Sequence, residues 1–338
     1  KKGNVCIIRL LLKEVSMNIK RLTCLTITGM MLLSGCSAGK TVNNKSVVAS
    51  LDGGNVYADN VYSSLTSTSS GRTQLFNYTL DQLLKSKYPA TKAMEENADS
   101  MVDSIKQSYK SQYSGSEYEK QLEKDLKSSG YSSIADYRKK VVYSLQYAEM
   151  MKNYVKKHFN AVFDDYYKMA TPRYISIIKV SMASVDVPTN AENDKLQEVK
   201  DLLKSGKNFG DIAKSYSDDS DTKNAKGSLG IVDTTNSLSD TYGSDVASTA
   251  LTLTAGQTSE AIKGTNGYYF LYCSSTDKEK IKKELKNVDA NSPLITYDNY
   301  MVYEAFKTYK ITYKDKATKE AINKVINENL KSRAEERK

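Results

Sequence analysis

Three textures alternate along the chain. The first is a short apolar block, Leu22 to Leu33, which holds no charge and falls well below the roughly 20 residues that span a bilayer as a helix. The second is helical. Phe76, Leu80, Leu83 and Leu84 recur at i, i+4, i+7 and i+8, and Met101, Val102, Ile105 and Tyr109 share one helix face. Leu122 and Leu126 mark a short helix that Gly130 ends, and Ser133 to Val155 is a longer one with Val141, Leu145 and Ala148 on one side. Ahead of these, Val47 to Leu51 and Asn55 to Tyr57 are β-prone runs around Asp52-Gly53-Gly54, the signature of a hairpin. Asp59 is placed to cap the helix that follows.

The third texture begins at Pro172. Arg173 to Val180 is β-prone and apolar, residues 192–205 read as a helix that Gly206 ends, and Phe209 to Tyr216 reads as a second, shorter one. A Gly/Ser/Asp-rich loop leads to Lys226 to Val232, and Gly267 to Tyr272 reads as a closing strand. These elements describe a compact α+β block. After Asp277 the helical texture returns: Leu294 to Phe306 follows Pro293 as a helix, Tyr309 to Tyr313 is strand-like, and Ile322, Val325, Ile326 and Leu330 share a helix face.

The apolar block acquires a meaning from its flanks. Met17 to Arg21 is a short cationic stretch, and Leu33-Ser34-Gly35-Cys36 follows the block, with a polar run from Ser37 to Ser46 behind it. Cationic start, apolar core and small residues in this order mark an export signal. With Cys in the next position, the order resembles the lipobox of bacterial lipoproteins. That resemblance implies cleavage before Cys36 and lipid on its sulfur, with two or more acyl chains giving a stable anchor. Residues 17–35 are then the signal and 36–46 a tether. Lys13 to Met17 back-translates as AAG GAG GTN AGY ATG, a ribosome-binding sequence ahead of a start codon, so residues 1–16 are expected to be untranslated leader read in frame.

Composition narrows the chemistry. The net charge is +9, but residues 1–35 hold six Lys/Arg and one Glu, so the chain from Cys36 is only about +4. No dense basic patch with interleaved aromatics is present, which argues against nucleic acid. With Cys36 lipidated and the signal removed, Cys273 stands alone, so no intramolecular disulfide is available. The one histidine, His158, rules out His-rich zinc sites, and no Walker or dinucleotide-type glycine loop occurs. Asp218, Asp219 and Asp221 lack the order of an EF-hand and read as a solvated acidic loop. No metal or organic cofactor is implied.

The stretch Leu202 to Gly230 carries a family signature. A helix runs into Phe209-x-x-Ile212-Ala213-x-x-x-Ser217, then an acidic loop, then Gly227-Ser228-Leu229-Gly230. With Leu253 to Ser259 and Gly267 to Leu271, it resembles the parvulin family of peptidyl-prolyl isomerases. The flanks are similar to the helical parts of the PrsA foldase and SurA families. The resemblance implies a parvulin-like domain, residues 170–277, inserted in a mainly α-helical chaperone domain formed by residues 47–168 and a C-terminal segment, 278–338.

The resemblance also implies site residues, with departures. Active parvulins carry two buried histidines; here Ser176 falls at the first-strand position and Tyr269 at the last-strand one. The Cys-or-Asp position falls at Asp219, or at Asp218 if the loop shifts it. The Met and Phe of the prolyl pocket become Leu238 and Tyr242. Ser228 replaces the usual Asp of Gly-Asp-Leu-Gly. Asp219, Ser176 and Tyr269 are therefore the candidate catalytic groups, and Leu238 and Tyr242 the candidate substrate contacts. Hydroxyls donate and accept, so they could rebuild the network without imidazole; a satisfied polar core in a domain that no longer catalyses is the alternative. Whether the chain is an enzyme stays open at this point.

Two functions fit. One is a lipid-anchored foldase on the outer face of the cell membrane that isomerises X-Pro bonds in newly exported, unfolded polypeptides. The other is a holdase whose parvulin-like domain only binds peptide. A surface-adhesive lipoprotein is a third class, which the Leu202 to Gly230 signature opposes. A homodimer is left open. Mass spectrometry of the native protein should find lipid on Cys36 and no peptide from residues 1–16; recovery of a Lys1–Ser16 peptide would remove the leader reading.

Overall fold

The computed structural model describes residues 41–42, 45–235, 238–264 and 266–338. The leader, the signal and Cys36 lie outside the described residues. Among those described, no helix is long and apolar enough to cross a membrane. The chain divides into two compact units, one formed by the residues up to Lys157 together with Asp298–Lys338, the other by His158–Tyr297.

The first unit is mainly helical. The expected hairpin forms as β2 (Lys45–Leu51) and β3 (Gly54–Tyr57), with Leu51 opposite Gly54 and Gly53 at φ +90° in the turn; β1 (Thr41–Val42) adds to its edge. Glycine tolerates that backbone conformation without strain. Asp59 does not cap the next helix. Ala58–Ser67 begins two residues earlier than that cap would give, on Tyr57 with no side-chain cap, and Asp59 sits in the first turn.

Helices Ser69–Lys87, Lys92–Gln112, Glu117–Ser128 and Ile134–Lys157 follow. Their periodic faces are buried as expected: Phe76, Leu80 and Leu84 are sealed, and Val102, Ile105, Tyr109, Leu122, Leu126 and Val141 build one cluster. The C-terminal helices Met301–Lys307 and Lys316–Glu336 complete this unit. The rings of Tyr303 and Phe306 lie 5.0 and 4.9 Å from that of Phe76, so residues far apart in sequence share one core. A buried carboxylate, Asp298, ties the last helix in by accepting from Arg333 Nη2 at 2.7 Å and Arg337 Nη2 at 2.9 Å.

Two expectations for the C-terminal segment fail. Leu294 to Phe306 is not one helix: Pro293–Thr296 and Met301–Lys307 are separate, and Pro293–Thr296 belongs to the second unit. Tyr309 to Tyr313 forms no strand. The β-prone residues find no edge to pair with, and Tyr309 instead sets its hydroxyl 2.6 Å from that of Tyr88, ring against ring edge.

The second unit is a four-stranded antiparallel sheet in the order β5-β4-β7-β6, from β4 (Arg173–Ser181), β5 (Ser228–Val232), β6 (Ile262–Gly264) and β7 (Gly267–Ser275). Alternate residues of a strand face opposite ways. Ile175 and Ile177 of β4 thus join Tyr269, Leu271 and Cys273 of β7 on one face, under the helix Ser244–Thr252. Ile178 and Val180 join Phe270 on the other, under Asn190–Lys204 and Phe209–Tyr216. Thr189 and Glu192 form a full capping box at the start of Asn190–Lys204, which fixes where that helix begins.

The unit is larger than residues 170–277. The helix Phe159–Ala170 and the stretch up to Tyr297 belong to it, because Tyr166 donates to Asp233 at 2.6 Å, Tyr297 donates to Asp165 at 2.7 Å, and Ile281 is sealed in its interior.

Gly227 precedes β5 with φ +79°, and a Cβ there would stand 2.4 Å from the Ile177 carbonyl oxygen. Gly227→Ala therefore combines left-handed strain with a backbone clash. It should lower the stability of this unit by more than about 2 kcal/mol, read as faster hydrogen exchange at the β4 and β7 amides.

Candidate functional site

The acidic loop delivers the central group. After the helix Phe209–Tyr216, the Ser217 hydroxyl accepts from the Lys179 amide at 3.1 Å and the Asp219 amide at 3.2 Å, pinning the loop to β4. The chain then enters a single turn, Ser220–Lys223, with Asp219 just before it. Asp219 is turned inward and is 8% exposed. Thr222 donates to its Oδ2 at 2.7 Å and Tyr242 to the same oxygen at 3.0 Å.

Asp218 has the opposite role. Its Oδ2 accepts from the Ser181 amide at 2.9 Å and its Oδ1 meets Lys195 Nζ at 2.6 Å. Of the two aspartates the sequence offered for one position, Asp219 is the one that is buried among hydroxyls.

Tyr242 comes from the short helix Leu238–Tyr242. It was expected as an apolar wall of a prolyl pocket. Its ring does pack in the apolar cluster, edge-on to Tyr269 with centroids 5.6 Å apart, but its hydroxyl is committed to Asp219. Leu238, one turn earlier, packs partly buried against the same cluster. Tyr269, fully buried on β7, donates to Asn266 Oδ1 at 2.5 Å. Burial first, and then the Asp219 charge, push the Tyr242 hydroxyl well above its ordinary range; burial likewise raises Tyr269. Both are neutral donors at physiological pH.

Ser176 is not part of this group. It pairs with Tyr272 across the β4–β7 ladder, and Tyr272 belongs to the opposite face, stacked on Phe209 at 5.5 Å. Tyr269 is opposite Lys179, and Ile177 lies diagonally from it. The backbone shifts between Tyr174 and Ile175 against β7, and between Ile175 and Ser176 against β5. From Ile175 to Ser181 the pairing with β7 runs without a break, so plain alternation sets Ser176 on the face opposite Ile177 and Tyr269.

The assembly that results is Asp219, Tyr242, Tyr269 and Leu238, with Thr222, Ser217 and Asn266 as residues the sequence reading missed. Thr222 stands three residues after Asp219 in the single turn, close enough in sequence for its hydroxyl to reach the carboxylate. Asn266 had no such local signal. Chemically, the group sets one buried carboxylate and two neutral phenols in an apolar wall, an arrangement with electrostatic leverage.

The comparisons agree with the resemblance seen in the sequence. The family model for the PPIC-type PPIase domain, or rotamase, matches residues 177–275. The foldase protein PrsA of Bacillus subtilis is 28% identical over 307 residues, 88% of this chain and 92% of its own. Foldase protein PrsA 1 of Lactiplantibacillus plantarum is 26% identical over 314 residues, 89% and 95% of the two chains. The crystal structure of PrsA from Bacillus subtilis aligns with 82% of this chain and 98% of its own at a TM-score of 0.40 and 26% identity.

Tyrosines set the alkaline limit of stability. Tyr242, Tyr269 and Tyr166 are raised by burial, and burial together with Tyr131 pushes Tyr137 up to about 12. In the unfolded chain each ionises near pH 10. The unfolded state therefore loses protons first, and the stabilisation is complete below about pH 10 and is lost as pH rises through the folded values. Chemical denaturation should give a plateau from about pH 7 to 9 and a fall above about 10.

Proposed function

We propose that this chain, a PrsA-type parvulin foldase by family, works on exported polypeptides at the outer face of the cell membrane, held there by lipid on Cys36, and speeds rotation about their X-Pro bonds. The observation that carries the catalytic part is the buried Asp219–Tyr242 pair beside Tyr269.

Prolyl isomerisation needs no covalent step. The barrier of roughly 18–20 kcal/mol comes from amide resonance, which places negative charge on the carbonyl oxygen of the planar forms. In the twisted amide that charge returns to nitrogen. A carboxylate in a poorly screened site disfavours the planar, polarised amide relative to the twisted one, which is the differential binding a catalyst requires. Asp219 would supply that field. Tyr242 and Thr222 hold the carboxylate in place, while Leu238 and the Tyr242 ring offer the proline an apolar contact. Ser176, on the other face, is left out of this reading, which keeps Asp219 and Tyr269.

A second reading has its own support. Neither family histidine is present, and the only one, His158, lies outside the sheet. Asp219 also has hydroxyl partners already, as a polar core would. In that reading the domain binds peptide and does not catalyse.

The two separate in one experiment. Exchange spectroscopy on X-Pro peptides with the mature chain should show acceleration that falls at least about tenfold in Asp219→Asn. It should not depend on pH between about 6 and 8, since the site holds no histidine. No acceleration, with aggregation of an unfolded client still suppressed, would leave the binding reading.

A further inference from the structure

The start of the described chain makes no core. Not one of residues 41–42 and 45–67 is buried. Every residue of β2 is exposed except Val47, which is half-buried, and the helix Ala58–Ser67 seals none of its residues. Large apolar side chains stand in water here. Val48 is 60% exposed and Leu51 67%, and the helix adds Val61 and Tyr62. Elsewhere among the described residues, Tyr78 and Val187 are the other exposed large apolar side chains. Such residues scattered singly need no explanation, but a group of them in one short stretch marks a surface that meets something.

Its place in the chain says what it meets. Thr41 follows Cys36 by five residues and Lys45 follows it by nine. A chain spans at most about 3.3–3.6 Å per residue, so β1 begins within about 18 Å of a lipid-bearing Cys36 and β2 within about 32 Å, whatever path the intervening residues take. No other described element is tied so closely to the anchor. A contact on so short a tether is intramolecular, with an effective concentration in the millimolar range, so a few apolar side chains suffice to populate it. Charge does not decide it: residues 45–67 carry Lys45 against Asp52 and Asp59.

We infer that the sheet β1–β2–β3 rests in the headgroup layer of the membrane that holds the anchor, with Val48 and Leu51 reaching the boundary with the acyl chains. Interfacial elements place apolar residues about 5–10 Å into that boundary, a depth at which Asp52, in the turn beside Leu51, keeps its water. Tyr62 donates to Asp315 at 2.6 Å and so ties this stretch to the start of the helix Lys316–Glu336. The contact thus orients the helical unit on the membrane. The inference rests on the lipid-anchor reading and adds a second, non-covalent contact to it.

The test uses the mature lipidated chain added to preformed vesicles of phosphatidylglycerol and phosphatidylethanolamine. Ser50→Cys sets a thiol beside the two apolar residues for labelling with the environment-sensitive dye NBD, and Cys273, fully buried, does not compete. On vesicles the emission of this label should move to the blue, and its reduction by dithionite should slow at least about threefold. The same label on Ser332→Cys, exposed and about 24 Å along the helix from Lys316, should show neither effect. Val48→Ser combined with Leu51→Ser should abolish both effects at residue 50 with the melting temperature unchanged, since neither side chain belongs to a core.

Flotation with the vesicles reads the anchor separately: the lipidated chain should float, and the unacylated chain with Cys36→Ser should not. Floating protein whose residue-50 label stays as it is in water overturns the hairpin contact and leaves the anchor standing. Wild type that does not float overturns the anchor, and the contact with it. A blue shift that grows with the concentration of the Cys36→Ser chain in the absence of lipid puts a second copy on the hairpin and overturns the membrane as its occupant.

Discussion

The pairing of β4 with β7 is the constraint on which the second unit depends. It joins two strands nearly a hundred residues apart, from Tyr174 opposite Ser275 to Ser181 opposite Gly267. Because side chains alternate, one register assigns every residue of both strands to a face at once. It places Tyr269 over the apolar cluster that receives Tyr242, and it turns Phe270 and Tyr272 to the helices on the other side. The loop after Phe209–Tyr216 is bonded to β4 through Ser217. The position of Asp219 thus follows from the same ladder.

The first unit solves a different problem. Its core is made by segments on both sides of the other unit in sequence, with Phe76 against Tyr303 and Phe306 and with Asp298 held by Arg333 and Arg337. Closing so long a loop carries an entropy penalty that grows only slowly with its length. A handful of buried aromatic contacts, each removing a large apolar area from water, is enough to offset it. Breaking the Asp298 pairs would strand a buried charge, which makes the return of the chain specific as well as favourable.

Chemically, the site is notable for what carries its polarity. Two phenols, Tyr242 and Tyr269, stand beside the carboxylate, and burial keeps them protonated far above neutrality. These two phenols do not switch protonation state across physiological pH. Their contribution is a fixed field and a fixed shape, the kind of stabilisation that pre-set dipoles provide without reorganisation.

Local elements were legible in the residues themselves: the Asp52-Gly53 turn, the helix Phe209–Tyr216, the burial of Phe76, Leu80 and Leu84, and the α+β character of the middle of the chain. Each depends on neighbours within a few positions, where propensity and periodicity act. The motif from Leu202 to Gly230 also sufficed to point to the parvulin family, and the single histidine to a departure from its usual chemistry. Tertiary structure decided the rest. It chose Asp219 over Asp218 as the buried carboxylate, set Ser176 on the far face through the register of β4 with β7, and gave the Tyr242 hydroxyl its partner. It also divided Leu294 to Phe306 into two helices and left the Asn77 oxygen without a donor. These outcomes depend on which distant surface each residue meets, and strand parity and long-range packing are properties of the partner as much as of the residue.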